Sequence, residues 1–254
     1  MTYCLGIRLN DGIVFAADSR TNAGIDNISM YRKLFTFEKP GDRNICVMTA
    51  GNLAVTQAVV SQLEEGLDDE DDDDTLYTVS SMSDATKMVG RALRNVRARD
   101  EVFLKADDAD SSASFIVGGQ IAGRRMRLFL VYSAGNYIEA TDDTPYLQIG
   151  ESKYGKPILE RVVTPQMDLA QAAKCALVSL DSTIRSNVAV APPIDMVVIR
   201  TDDCRIAVEQ RIQADDEYYT DISKNWGEGL RNLFDSLPAP SWLEDDMGNQ
   251  NGCP

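Results

Sequence analysis

The chain has 254 residues, 40 acidic side chains against 25 basic ones, a net charge of −15 and no histidine. The missing histidine excludes Ser-His-Asp and Cys-His hydrolases, His-ligated zinc or haem, and an imidazole pH switch. Acid–base chemistry near neutral pH must then use a carboxylate, a lysine, a thiol or the chain's own α-amino group.

The first 50 residues read as strands. Tyr3 to Leu9 alternates loosely, Asn10-Asp11-Gly12 is a hairpin turn signal, and Ile13 to Ala17 returns as a buried strand. Lys33 to Phe37 and Ile45 to Met48 read as two more strands around the turn Lys39-Pro40-Gly41-Asp42. From Leu53 the apolar positions Val55, Val59, Val60 and Leu63 take helical spacing, with Asn52 as N-cap. An acidic run follows, Asp68, Asp69, Glu70, Asp71, Asp72, Asp73 and Asp74, and Ser83 then opens a second helix through Met88, Val89, Leu93 and Val96. Strand signals return at Phe115 to Val117, Met126 to Tyr132, Tyr137 to Ala140 and Tyr146 to Ile149. Lys153 to Arg161 reads as a short helix kinked near Pro157, and a stronger helix starts at Asp168 with Leu169, Ala172, Ala173, Ala176, Leu177 and Leu180 on one face. Met196 to Arg200 and Ile206 to Gln210 are strands, and an amphipathic helix around Trp226, Leu230, Leu233 and Phe234 precedes a frayed end. Runs of strands and helices segregated in this way predict an α+β layered fold with mainly antiparallel sheets.

Composition sets the remaining bounds. The acidic balance, nine charges of it in Glu64, Glu65 and the run 68–74, disfavours nonspecific binding to nucleic acid or to an anionic membrane, both of which need a dominant basic surface. The run lacks D-x-D-x-D-G calcium spacing and reads as a solvated loop. The basic face Lys87, Arg91 and Arg94, with Arg97 and Arg99 behind it, offers it a partner within the subunit or in a neighbour. Five cysteines without CxxC spacing predict reduced thiols. The apolar runs are far shorter than a membrane span of roughly 18 residues, and with no signal-peptide pattern the expected compartment is the cytoplasm.

Thr2 follows the initiator methionine. Removal of Met1 would expose a hydroxyl nucleophile and an α-amine on adjacent carbons. An ordinary α-amine titrates at about 7.7 to 8.0, so it can act as base without histidine. A buried lysine near the hydroxyl would favour its deprotonated form, and a carboxylate would keep that lysine charged. Asp18 and Lys33 are candidates for that pair, placed on neighbouring strands.

Four spaced elements carry a resemblance. Thr2-Tyr3-Cys4-Leu5-Gly6, the stretch Asp11-Gly12-Ile13-Val14-Phe15-Ala16-Ala17-Asp18-Ser19-Arg20, Arg32-Lys33-Leu34 and Thr49-Ala50-Gly51 resemble the proteasome β-subunit and HslV group of N-terminal-nucleophile hydrolases. Ser19-Arg20-Thr21-Asn22-Ala23-Gly24 and Thr49-Ala50-Gly51-Asn52-Leu53-Ala54 look most like its bacterial Anbu branch. The resemblance covers roughly residues 2 to 212 and implies a four-layer αββα sandwich, with 213–254 as a C-terminal helical extension and tail.

By that resemblance Thr2 matches the nucleophile, Asp18 the lysine-orienting acid, Lys33 the activating lysine and Gly51 the oxyanion-hole glycine. Ser152, in Gly150-Glu151-Ser152, matches a serine near the amine, and Asp181 matches a second supporting acid. Ser186-Asn187 takes the place of the family's Ser/Thr-Gly/Asn pair at HslV-like spacing. Asp18 and Lys33 lie one position closer in sequence than is common, which implies a shorter connecting turn. The implied activity is threonine-type cleavage of peptide amides, on a peptide or unfolded-protein substrate, in a ring-like or spiral homo-oligomer. No metal or organic cofactor is implied, and the sequence does not say whether an ATP-dependent unfoldase feeds the site. A specialised amidase or transferase on the same residues, and a catalytically weak assembly scaffold, are the alternatives.

Overall fold

Two five-stranded antiparallel sheets face each other, and each carries helices on its outer face. The structure is a computed structural model that describes residues 1–22, 28–66 and 75–242. The acidic run 68–74, part of the 19–24 motif and Cys253 lie outside the described residues.

The first sheet contains β1 (Tyr3–Arg8), β2 (Gly12–Asp18), β10 (Tyr146–Gly150), β11 (Ile194–Arg200) and β12 (Ile206–Ile212) in the order β10-β1-β2-β11-β12. The second contains β5 (Leu34–Lys39), β6 (Arg43–Gly51), β7 (Ala113–Ile121), β8 (Arg127–Val131) and β9 (Tyr137–Glu139) in chain order. A small hairpin, β3 (Arg20–Asn22) and β4 (Ile28–Met30), separates β2 from β5. Its three-residue strands lack the apolar alternation that marks a strand in sequence, so the pattern does not predict them.

Three apolar layers hold the stack together. Phe15, Cys4, Met48, Ile116 and Leu128 fill the space between the sheets. Val59, Leu63, Val89 and Leu93 of α1 (Leu53–Glu65) and α2 (Met82–Ala106) close over Val47, Val117 and Phe129 of the second sheet. On the other side α3 (Lys156–Val162), α4 (Leu169–Ser186) and the start of α5 (Glu217–Ser236) cover Tyr3, Leu5, Ile7 and Val14. Strand β1 shows the cause at residue level, since Tyr3, Leu5 and Ile7 face the helices while Cys4 faces the second sheet. The order helix, sheet, sheet, helix is the expected αββα sandwich.

Local chemistry sets the helix starts. Asn52 Oδ1 accepts from Val55 N at 3.2 Å and Asp168 Oδ1 from Gln171 N at 2.7 Å. The second helix starts at Met82 rather than Ser83, because Ser81 Oγ accepts from Asp84 N and donates to its carboxylate. The expected kink at Pro157 is absent. Pro157 sits in the first turn of α3, where a missing N–H costs no helical bond. On α2, Lys87 pairs with Asp84, and Arg94 and Arg97 donate to the carbonyls of Gly135 and Ser133, so these three cations are engaged within the subunit.

Candidate active site

Thr2 directly precedes β1, a strand bracketed by β10 and β2. Both atoms of the Thr2–Tyr3 peptide are held. Glu151 N donates to Thr2 O at 2.7 Å, and Tyr3 N donates to Asp18 Oδ1 at 2.9 Å. The first contact requires Gly150, whose φ is +80° and where a Cβ would overlap the Thr2 carbonyl. The nearby Tyr3 phenol is fully buried, which pushes its pKa up to about 12 and keeps it neutral.

Asp18 ends β2 and is fully buried. Lys33 lies just before β5, which belongs to the opposite sheet, so the two residues meet across the sandwich rather than on neighbouring strands. Lys33 Nζ donates to both Asp18 carboxylate oxygens at 2.9 Å and to Arg20 O at 2.6 Å. The shortened sequence spacing therefore still allows a two-oxygen ion pair. Burial pushes the Asp18 carboxyl up from its ordinary value, while the Lys33 ammonium and the N–H groups of Tyr3 and Ala191 oppose that rise.

The lysine backbone is tied to β6 by Thr49 N donating to Lys33 O at 2.9 Å. Two residues on, Gly51 ends β6 with φ +115°, where a Cβ would overlap Ser112 O. Met1, Thr2, Thr21, Lys33, Thr49 and Gly51 contribute to the wall of one cavity of about 260 Å³. A hydroxyl, a buried ammonium and a strand-end glycine thus share one space, a set suited to activating a nucleophile and receiving an oxyanion.

The other two predicted residues stand differently. Ser152 is in the turn bonded to Thr2 O, and its carbonyl accepts from Gln148 Nε2 at 3.4 Å. Asp181 is buried on α4, where its carboxylate accepts from Arg185 Nε at 3.0 Å and borders a groove shared with Tyr219 and Ser223 of α5. Of the pair after α4, Asn187 Nδ2 donates to Glu151 Oε2 at 2.8 Å, which ties the α4 exit to the turn behind Thr2.

Residues 2–199 match the family described as proteasome subunit. Among solved structures, Anbu (ancestral beta-subunit) from Yersinia bercovieri is 47% identical with TM-score 0.87, covering 94% of this chain and 98% of that one. The chain belongs to the Anbu branch of the proteasome-subunit family. Anbu from Hyphomicrobium sp. strain MC1 is 49% identical with TM-score 0.86, covering 94% of this chain and 99% of that one. The Anbu complex from Pseudomonas aeruginosa, described as a helical assembly, is 49% identical with TM-score 0.88, covering 94% and 98%. No curated protein matches the chain. Among the described residues no helix is long and apolar enough to cross a membrane, and no group of three or more His, Cys, Asp or Glu side chains could hold a metal ion.

Sequence reasoning missed the surroundings of Tyr3. Its hydroxyl meets Ser179 Oγ of α4 at 2.7 Å and accepts from Gln148 Nε2 of β10. A buried tyrosine needs such partners, but nothing in the sequence says which helix supplies them.

Proposed function

We propose that this chain is a threonine-type peptidase subunit that cleaves peptide amides through Thr2 after removal of Met1, in the cytoplasm and within a homo-oligomer. The carrying observation is the Lys33 ammonium, held by both Asp18 oxygens in the wall of the cavity that receives Thr2 and Gly51. Met1 is 63% exposed, which suits its removal by an aminopeptidase.

The freed Thr2 amine accepts the hydroxyl proton, directly or through a water, as Oγ attacks the substrate carbonyl. The Lys33 charge favours the alkoxide, and the Gly51 N–H stabilises the oxyanion. The amine returns its proton to the leaving nitrogen, and water then releases the ester. Ser152, in the turn bonded to Thr2, supports the amine. Asp181 supports the site through α4, where its ion pair with Arg185 lies. The boundary near residue 212 separates this hydrolase domain from a C-terminal extension that contributes Tyr219 and Ile222 to the core. Self-association is supported by the helical assembly of the Pseudomonas aeruginosa relative; two copies related by a contact that does not close on itself extend into such a filament.

A peptidyl epoxyketone, whose ring-forming reaction needs both hydroxyl and amine, tests the reading. Labelling of the wild-type chain on Thr2, abolished in Thr2→Ala, is the expected result. An unlabelled chain that still assembles would overturn the peptidase reading and leave the scaffold.

A further inference from the structure

Tyr3 occupies the position directly after the proposed nucleophile, and its side chain is the far end of a closed circuit of hydrogen bonds. Ser179 Oγ contacts both Gly155 O, at 3.1 Å, and the Tyr3 hydroxyl, at 2.7 Å. Because a carbonyl can only accept, Ser179 spends its proton on Gly155 and must receive that of Tyr3. Gln148 Nε2, a donor only, supplies the bond to the Tyr3 oxygen. The proton order is thus Gln148 to Tyr3, Tyr3 to Ser179, and Ser179 to Gly155. Gly155 admits this chain by having no side chain, since a Cβ there would overlap both the Tyr3 and Ser179 oxygens.

The same Gln148 amide reaches Ser152 O at 3.4 Å, and the turn carrying Ser152 donates Glu151 N to Thr2 O at 2.7 Å. The circuit runs from Thr2 through Tyr3, Gln148 and the 150–152 turn back to Thr2. It also joins α4 to the strand that presents the nucleophile. Tyr3 touches no reacting atom.

From this circuit we infer that Tyr3 is a positioning residue, whose phenol, locked between Gln148 and Ser179, sets the placement of Thr2 Oγ and its amine. The inference rests on the reading of Thr2 as nucleophile. Removing the hydroxyl in Tyr3→Phe keeps the ring packed but opens the circuit, and Ser179→Ala removes the acceptor of the Tyr3 proton from the other side.

The test follows covalent labelling by the peptidyl epoxyketone at saturating and limiting concentration. Misplacement of a reacting group far from its contacts is a rate effect, so the limiting rate kinact should fall by about tenfold in both variants while KI stays within about twofold. Wild-type kinact in either folded variant overturns the inference. So does a parallel change of kinact and KI that tracks the loss of thermal midpoint, which marks a merely structural role. If Tyr3→Phe does not fold, Ser179→Ala decides alone by the same criteria. Failure of the underlying reading shows differently, as labelling that survives Thr2→Ala or never occurs in the wild-type chain.

Discussion

Asp18 Oδ1 accepts hydrogen bonds from both Lys33 Nζ and Tyr3 N, each at 2.9 Å. One carboxylate therefore fixes the buried ammonium and the peptide that leads to Thr2, so the charge and the proposed nucleophile keep a common reference. The arrangement works only with an ionised acid, because an amide in its place offers Lys33 no opposite charge.

Asp18→Asn is accordingly expected to leave a buried lysine without its counter-charge. Breaking a buried ion pair from one side costs about 3–5 kcal/mol, and the side chains here are 4% and 0% exposed. Equilibrium denaturant unfolding should show a loss of that size together with loss of epoxyketone labelling. Unchanged unfolding would show that the pair does not hold this part of the fold.

The pH profile follows from the same group. Burial raises the Asp18 carboxyl above its ordinary value, which is about 3.9. As pH falls through the raised value, Asp18 takes up a proton, Lys33 loses its partner, and labelling declines. The acid limb should thus lie above pH 3.9, the ordinary value, by the size of that rise. Activity should decline there with far-UV dichroism unchanged. An acid limb at or below the ordinary carboxylate value would contradict the assignment.

Two glycines make steric predictions. Gly51→Ala places a Cβ against Ser112 O at φ +115°, and displacing an oxyanion donor lowers the rate by about 10²–10³-fold. Gly150→Ala places one against the Thr2 carbonyl and should break the Glu151–Thr2 bond. Turnover or labelling rates measured on folded variants check both, and rates equal to wild type would remove either glycine from the account.

Much of this was legible in the sequence, for reasons that differ by residue. The strands around Ile13 to Ala17 and Ile45 to Met48 and the caps Asn52 and Asp168 are local signals, and local signals survive folding. Spaced motifs single out Thr2, Asp18, Lys33 and Gly51, and the fold lines one cavity with Thr2, Lys33 and Gly51 while Asp18 pairs with Lys33 from the buried side. What escaped depends on distant contacts. The facing of Asp18 and Lys33 across two sheets, the Tyr3 bonds to Gln148 and Ser179, and the tie from Asn187 to Glu151 join positions between 15 and 176 residues apart. In the structure Gly150 and Gly155 mark two of these close approaches, where a Cβ would overlap the Thr2 carbonyl and the Tyr3 and Ser179 oxygens.

The central claim is that the chain works from a free Thr2 amine. The intact mass of the protein purified from its native cells tests this most directly. The account predicts a mass lower than that of the full sequence by one methionine residue. A chain that retains Met1 would leave Thr2 without its base and contradict the account.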